Sequence, residues 1–281
     1  MISIKRITNI YRPITATPFQ RDETYFEILP CDALKPYIRC FWGSEKPLIS
    51  ENTKTQYGLV IPDTCMDVIF EINHTKNEYT DVFCALDDHS YKTLSLADDC
   101  KFLKSTFAIR FYAHTAILFS EHHFKNSKNK IFSSEDFFSK LKEEILQQLF
   151  EKTTIYERVV ATENFLLKNL HIERINTDLM NSIFYIIKSN GSAKISDIIS
   201  YSSISQRQLE RIFDYNIGIS PKTFSSLLRY QMLWRDMVLS EGFDILDAVD
   251  KYGYTDQSHL LKDFKSRHLM FPKNAIEFAK K

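Results

Sequence analysis

The sequence has no apolar run that approaches the roughly 18 residues needed to cross a bilayer. Residues 1–19 also lack the apolar stretch of about 7–15 residues that marks a secretion signal. The glycine-rich motifs that cradle phosphates are missing, and so is the G-x-S-x-G pattern of serine hydrolases. We therefore expect a cytoplasmic protein that contacts no membrane, is not an enzyme and needs no cofactor.

Cysteine is scarce and confined to the first hundred residues. The cysteines are Cys31, Cys40, Cys65, Cys84 and Cys100. None of them forms a C-x-x-C pair, so the usual spacing of a zinc site or of a thioredoxin-like redox site is missing. We predict no metal site and interpret the cysteines as buried thiols, while a redox or ligand role stays open.

An excess of charge of either sign is also missing, because 36 Lys and Arg balance 36 Asp and Glu. A net charge of zero by itself argues against a nucleic-acid partner. The distribution is uneven, however, since residues 174–281 hold 15 basic and 12 acidic side chains while residues 1–173 have an acidic excess. This asymmetry permits a DNA-binding C-terminal part without requiring one.

The residues that are present divide the chain into a β-rich front and a helical rear. Alternating aromatic and β-branched residues over 102–119, and the run Val68–Phe70, favour short strands. From Ser134 onward, apolar residues recur at helical spacing. A length of 281 residues suits more than one folded domain. We predict an α+β chain with a β-rich barrel at 1–133, a helical connector at 134–173 and an all-α part at 174–281.

The all-α part predicts two helix-turn-helix units, at Ile195–Phe213 and Asp244–Lys265. Ser205 and Asp256 are placed to cap the second helix of each unit. The connecting helix, Pro221–Leu239, spans about 28 Å at ~1.5 Å per residue. Two helices that read successive major grooves must stand roughly 34 Å apart. The pattern is typical of a protein that places one helix in each of two grooves.

These residues resemble the AraC/XylS family of transcription regulators. The resemblance is carried by Ser205–Phe213 and Gly218–Lys222, and more closely by Gly253–Leu260 with Asp263–Lys265. It covers about residues 178–278, with both motifs in order at the separation found in the family. The sequence departs from the family where Ser203 replaces a frequent glycine. It departs again in the turn at 269–272, which lacks the usual glycine and serine and is not followed by the expected arginine.

The front half resembles a cupin-like sensor domain found in some members of that family. The matching pieces lie at 34–42, 62–70 and 107–111. The resemblance implies a β-barrel without naming a ligand. Aromatic side chains of such a barrel could line an apolar cavity for a small molecule, or they could fill a solid core. The candidates for a ligand site are Trp42, Tyr57, Phe70, Phe107, Phe111 and Tyr112.

Polar side chains on the two second helices are the candidates for DNA contact. Arg207 and Arg211 lie four residues apart, away from the apolar side, and arginine can pair bidentately with guanine. Lys262 suits a phosphate better than a base, Gln257 could equally serve as a local cap, and Asp263 has no assigned role. The predicted DNA-contacting residues are Ser205, Gln206, Arg207, Gln208, Glu210, Arg211, Gln257, Ser258, His259, Lys262 and Lys265.

The residues and the resemblance together predict a sequence-specific DNA-binding transcription regulator. We expect it to activate transcription in response to a small molecule or another signal received by the β-rich part. The implied partners are the major groove of double-stranded DNA, a small-molecule effector and RNA polymerase, and a homodimer stays open. The alternative is a cupin-like small-molecule-binding protein whose C-terminal helices mediate protein contacts.

Overall fold

The computed structural model describes residues 3–14, 25–50, 56–95 and 101–279. They form the predicted α+β fold, in which an antiparallel β-rich domain is followed by helices. The strands of the described part are β1 Phe26–Ile28, β2 Ile38–Gly43, β3 Leu48–Ser50, β4 Gln56–Val60, β5 Cys65–Asn73, β6 Glu78–Cys84, β7 Tyr91–Ser95, β8 Phe102–Tyr112 and β9 Ile131–Phe132. The helices are α1 Ile4–Ile10, α2 Glu135–Leu149, α3 Ile155–Lys168, α4 Thr177–Lys188, α5 Ile195–Ser202, α6 Gln206–Ile217, α7 Pro221–Leu239, α8 Ile245–Lys251, α9 Gln257–His268 and α10 Pro272–Ala279.

The main sheet has seven strands in the order β1-β2-β8-β5-β6-β9, with β3 also paired to β8. Strands β4 and β7 form a separate antiparallel pair. Within the described residues the edge strands β1 and β9 do not pair with each other, so closure into a barrel stays a prediction. The long central strands β5 and β8 place Cys65, Asp67, Ile69 and Arg110 beside a candidate cavity.

The two faces of the main sheet have different characters because side chains alternate along each strand. Val68 and Ile109 oppose each other on one face, which is fully apolar in the centre and packs against the connector helices. There the ring of Phe111 stacks on Phe138 of α2, with centroids 5.6 Å apart. Asp67 opposes Arg110 on the other face, which is turned towards β4 and β7. The sheet therefore separates a hydrophobic core from a more polar layer.

The helix starts predicted for the rear are confirmed by their caps. The hydroxyl of Ser205 accepts a hydrogen bond from the N–H of Gln208 at 3.2 Å, as expected for the start of α6. The carboxylate of Asp256 accepts from the N–H of His259 at 2.8 Å and starts α9 in the same way. Helix α7 runs unbroken for 19 residues from Pro221 to Leu239. The rear thus contains two pairs of helices joined by one long helix.

Two turns adopt a left-handed conformation without the glycine that the sequence comparison with the AraC/XylS family led us to expect. Ser203 has a φ of 55° and Leu269 a φ of 61°, both in the left-handed region. That conformation costs a residue with a side chain on the order of 1 kcal/mol relative to glycine. The departures noted in the sequence therefore change the local strain of the turns, while the helices on either side remain in place. None of the helices in the described ranges is both long and apolar enough to span a bilayer.

Candidate nucleic-acid interface

Helix α6 presents two arginines to solvent. Arg207 and Arg211 are both exposed, one helical turn apart. The neighbouring carboxylate of Glu210 accepts a hydrogen bond from the amide of Gln206 at 2.9 Å, so these two residues partner each other. The buried side of the helix holds it against the rest of the rear through Leu209, Ile212 and Phe213. This face can supply two guanidinium groups, with their planar arrays of donors, to an external acceptor.

The other predicted contacts of the first unit have structural partners. Ser205 is the cap of α6, and its hydroxyl is already engaged there. The amide of Gln208 donates to Asp178 of α4 at 3.1 Å, and the side chain is half-buried. The structure therefore brings Gln206, Arg207, Glu210 and Arg211 together on the exposed surface, and it places Gln208 against α4.

Helix α9 exposes a second polar face. The residues of this face are Gln257, Ser258, His259, Lys262 and Lys265. Asp256 provides the cap, so the exposed side chain of Gln257 is not needed for that role. The ammonium of Lys265 lies 4.5 Å from the centre of the Phe271 ring, a cation–π contact that holds it near the end of the helix. The opposite side of α9 is buried through Leu260 and Phe264.

Asp263, for which the sequence suggested no role, ties α9 to the connecting helix. Its carboxylate accepts a hydrogen bond from the hydroxyl of Tyr254 at 2.8 Å and lies 3.5 Å from a guanidinium nitrogen of Arg229 on α7. The Arg229 guanidinium in turn stacks 4.3 Å from the centre of the Tyr254 ring. Because these groups are half-buried or buried, the cluster fixes the direction of α9 on α7 and engages the Asp263 carboxylate within the protein.

The turn that precedes the first unit touches the second unit directly. The amide of Asn190 donates to the carbonyl of Lys251 at 3.3 Å. A Cβ placed on Gly253 would lie 2.8 Å from the Cβ of Ser192, closer than side-chain atoms normally approach. The turn that follows α4 therefore packs against the turn that follows α8. This contact, together with α7, sets the relative orientation of α6 and α9.

A buried histidine lies beneath the second unit. His268, on α9, is fully buried; its Nδ1 is 2.7 Å from the hydroxyl of Tyr230, and its ring stacks 4.9 Å from Phe264. The other ring nitrogen, Nε2, has no hydrogen-bond partner. Burial lowers the pKa of His268 to about 4, because a charged imidazole would lose its hydration without gaining a partner.

The second unit is expected to lose stability as the pH falls below 6.5. Above that pH the imidazole of His268 is neutral in both the folded and the unfolded chain. Between pH 6.5 and about 4 only the unfolded chain takes up the proton, which costs the folded state up to about 3 kcal/mol. Urea unfolding of the native chain and of the His268→Asn variant, measured from pH 7.5 to 4.5, checks this. The stability difference between them should shrink as the pH falls, and parallel curves would contradict the assignment.

The β-rich domain holds the end of each of the two exposed helices. The N–H of Phe124 donates to the carbonyl of Tyr215 on α6 at 3.0 Å. The N–H of Ser90 donates to the carbonyl of Arg267 on α9 at 2.8 Å, and the Arg267 guanidinium donates to the carbonyl of Asp88 at 2.8 Å. These contacts join residues up to 179 positions apart. Sequence reasoning missed them, because no local pattern marks a backbone carbonyl as a partner for a distant amide.

Gln231 on α7 forms a third joint between the two parts. Its amide nitrogen donates to the carbonyl of Pro62 at 2.7 Å, and its amide oxygen accepts from the N–H of Ile14 at 3.2 Å. The side chain is 1% exposed, so both hydrogen bonds are shielded from water. In the sequence, the only indication of this contact was a polar residue on the mainly apolar buried side of α7. The joint lies on the helix that connects α6 to α9, midway between the two exposed helices.

A cavity of about 130 Å³ lies beside this joint, between the polar face of the main sheet and the β4–β7 pair. It is lined by Tyr25, Trp42, Val60, Ile61, Pro62, Asp63, Cys65, Asp67, Ile69, Cys84, Ala85, Asp87, Tyr91 and Arg110. Of the aromatic residues proposed from the sequence for a ligand site, Trp42 lies here. Tyr112 is buried but does not line the cavity, and the side chain of Tyr57 lies outside the described residues.

Three of the aromatic residues suggested for the ligand site fill the core instead. Phe70, Phe107 and Phe111 are 0% exposed and belong to the apolar face of the sheet. The reason is strand parity, since residues at even positions of β5 and odd positions of β8 point away from the cavity. The residues of opposite parity on these two strands that line the cavity, and that sequence reasoning missed, include the charged pair Asp67 and Arg110.

The polar end of the cavity is a buried ion-pair cluster. Arg110 donates to both carboxylate oxygens of Asp67, at 3.0 Å from Nε and 3.0 Å from Nη2. The indole N–H of Trp42 donates to the same carboxylate at 2.8 Å. Although burial by itself lowers the pKa of Arg110, the charges of Asp67 and Asp63 raise it well above its usual value. Burial raises the pKa of the nearby Cys65 thiol as well, so this cysteine stays protonated at neutral pH.

Comparisons with known proteins give one family match to part of the chain and several structural matches at low sequence identity. A family profile described as "Domain of unknown function (DUF6597)" matches residues 26–133, which is less than half of the chain. No curated protein matches the chain significantly.

Several solved structures of ToxT from Vibrio cholerae are similar to the chain. A 1.65 Å structure of ToxT shares 14% identity over 81% of this chain and 97% of that one, with a TM-score of 0.41. Wild-type ToxT bound to an unsaturated fatty acid shares 12% identity over 82% and 93%, with a TM-score of 0.41. ToxT bound to (E)-4-(8-methylnaphthalen-1-yl)but-3-enoic acid shares 14% identity over 83% and 98%, with a TM-score of 0.42. At such low values the function has to be inferred from the chain's own residues.

Proposed function

We propose that this chain is a transcription regulator of the AraC/XylS kind, which binds double-stranded DNA by placing α6 and α9 in successive major grooves. The observation that carries the proposal is the pair of exposed polar helix faces on units held at a fixed relative orientation. Each face is the second helix of a helix-turn-helix unit, the element that enters the groove in proteins of this type. The resemblance of both units to the AraC/XylS family, in order and at the same separation, supports the same function.

The dimensions and charges of the rear fit this role. Helix α7, with 19 residues, spans about 28 Å at ~1.5 Å per residue, close to the roughly 34 Å between successive grooves on one side of a duplex. Arg207 and Arg211 are free to approach base edges, whereas Lys262 and Lys265 are point charges suited to phosphates. The basic excess of residues 174–281 favours the same partner.

We further propose that the β-rich domain receives a small-molecule signal. The cavity lies next to Pro62, whose carbonyl binds Gln231 on the helix between the two DNA-contacting helices. A ligand that favours one arrangement of this joint would shift the population of DNA-competent molecules by its differential affinity. Activation of transcription would need RNA polymerase as a further partner, and a homodimer is a compatible arrangement.

The central test is a mobility-shift assay of the full chain with genomic DNA fragments at several salt concentrations. Because neutralised phosphates release counterions, the logarithm of the affinity should fall linearly with the logarithm of the salt concentration. An absence of binding even near 50 mM salt would contradict the proposal and leave the alternative, in which the C-terminal helices contact proteins.

Substitutions on the two exposed helices are expected to act differently. Arg207→Ala and Arg211→Ala should each cost about 1–3 kcal/mol at the preferred sequence and relax the preference at one base pair. Lys262→Ala should weaken binding to all sequences alike and reduce the salt slope by about one. Lys76→Ala, which removes an exposed charge from the β5–β6 turn, is the matched control and should leave DNA binding unchanged. A uniform loss across sequences for both arginine variants would refute their assignment to bases.

A further inference from the structure

We propose that the cavity between the main sheet and the β4–β7 pair binds a small protonated amine with a compact apolar body. The identification of this amine as the effector rests on the function proposed above, whereas the binding site itself does not. The inference follows from an imbalance of buried charge at one end of the cavity and from the size and aromatic lining of the other end.

The cavity holds more negative than positive groups. Asp63, Asp67 and Asp87 all line it, and Arg110 is the cationic residue among the described lining. The guanidinium of Arg110 is committed to Asp67, which it contacts with two nitrogens and which also accepts from the indole of Trp42. The Asp67 carboxylate therefore has its hydrogen-bond donors and its counter-charge without a ligand. Among the described residues, the remaining two carboxylates therefore lack an equivalent cationic partner.

Asp63 has an acceptor that is buried and unused. Its Oδ1 accepts a hydrogen bond from the N–H of Cys65 at 2.7 Å. Within the described part of the chain its Oδ2 has no hydrogen-bond partner, and the nearest guanidinium nitrogen, Nη1 of Arg110, is 3.7 Å away, which is beyond hydrogen-bond reach. The residue is only 7% exposed, so water does not readily compensate for the missing bond. Asp63 lines the cavity, and a buried carboxylate with one oxygen lacking a donor is the feature that an ammonium group would complete.

Asp87 is the third carboxylate of the lining. Its side chain is half-buried, and burial raises its pKa to about 6. Burial likewise raises the pKa of Asp63 to about 6, in spite of the opposing charge of Arg110. The nearby Arg39 faces Glu27 at 3.6 Å, so this pair adds no net charge. A cation in the cavity would favour the ionised form of both carboxylates, whereas an anion would add to their repulsion.

The rest of the lining sets the size and shape of the ligand. The aromatic residues Tyr25, Trp42 and Tyr91 line the cavity, and Val60 and Ile69 add aliphatic surface. Aromatic faces attract an adjacent ammonium group as well as an apolar ring. The volume of about 130 Å³ is slightly less than the roughly 150 Å³ of an engineered cavity that holds benzene. The fitting ligand is therefore an amine whose apolar body is no larger than a single six-membered ring, with the ammonium group placed at the acidic end.

The position of the acidic end connects this site to the DNA-contacting helices. Asp63 directly follows Pro62, whose carbonyl accepts the hydrogen bond from Gln231 on α7. An ammonium group drawn to Asp63 Oδ2 would act on the residue next to that joint. Binding at this end can therefore bias the arrangement of α7 against the β-rich domain, provided that the two arrangements differ in affinity for the amine.

The test uses calorimetry on the full chain with benzylamine, benzyl alcohol and benzoate, which are similar in size and differ in charge. We expect benzylamine to bind at least about tenfold more tightly than benzyl alcohol, and benzoate to bind no more tightly than the alcohol. Asp63→Asn, which keeps the acceptor for the Cys65 N–H, should abolish this preference, and Asp87→Asn should reduce it. Asp136→Asn, an exposed carboxylate at the start of α2, is the matched control and should leave all three affinities unchanged.

Three outcomes would overturn the amine site: no binding of benzylamine, equal binding of amine and alcohol, or tighter binding of benzoate through Arg110. Because the calorimetry contains no DNA, a negative result for amine binding is distinguishable from a negative result in the DNA-binding test. Mobility shifts with and without benzylamine then examine the effector role. A DNA affinity that the amine leaves unchanged would remove that role and keep the binding site.

Discussion

Replacement of Arg110 by methionine is expected to lower the free energy of unfolding by about 3–5 kcal/mol. The guanidinium is 5% exposed and holds two buried carboxylates, Asp67 directly and Asp63 at 3.7 Å. Methionine fills much of the same space, so the loss would come mainly from the carboxylates that stay buried without a cation. Urea unfolding followed by circular dichroism at pH 7 measures the effect.

A double variant separates the ion pair from the loss of packing. Arg110→Met combined with Asp67→Asn should recover part of the stability, because asparagine carries no charge and still accepts the N–H of Trp42. The stability of Arg110→Met should also improve as the pH falls below about 6, because burial raises the pKa of Asp63 to about 6 and its protonation removes a buried charge. If the double variant is less stable than Arg110→Met alone, the buried charge is not the cause of the loss.

Replacement of Gly191 by alanine is expected to destabilise the helical rear by about 2–5 kcal/mol, from overpacking and left-handed strain together. Gly191 ends the turn after α4 with a φ of 74°. A Cβ on this residue would lie 2.4 Å from the carbonyl oxygen of Ser225 and 2.7 Å from the backbone nitrogen of Arg229, both on α7. Backbone atoms of a helix cannot move aside as a flexible side chain would, so the turn would have to leave α7.

Gly242→Ala is the matched control for this prediction. Gly242 has the same φ of 74°, but nothing lies within 4 Å of a Cβ placed there. This variant should therefore show the backbone strain alone, about 1 kcal/mol. Thermal unfolding and DNA affinity, measured for both variants, give the comparison. Equal effects at the two glycines would mean that the approach of α7 to Gly191 is less close than the structure shows.

The second helices illustrate how much of the candidate interface the sequence could predict. The caps at Ser205 and Asp256 were predictable because each joins a side chain to an N–H three residues away. The exposure of Arg207 and Arg211 followed from helical periodicity, given the apolar residues on the other side. The contact of Gln208 with Asp178 did not follow, because it depends on where α4 lies against α6.

The candidate ligand cavity was harder to predict from the sequence. Aromatic content pointed to Trp42, which lines the cavity, and also to Phe70, Phe107 and Phe111, which fill the core. Alternation along a strand divides its residues into two faces, but it does not say which face meets a helix and which meets a second sheet. The position of the β4–β7 pair over one face decided that choice.

The sequence by itself determined the helices of the rear, their caps and the order of the two helix-turn-helix units, because these features depend on residues within about four positions of one another. Only the tertiary structure decided that Gln231 joins Pro62, that the ends of α6 and α9 bond to the β-rich domain, and that Asp63 keeps an oxygen unpaired beside a cavity. Those features bring together residues up to 179 positions apart. Local sequence patterns do not predict such contacts, because which residues meet depends on how whole helices and strands pack together.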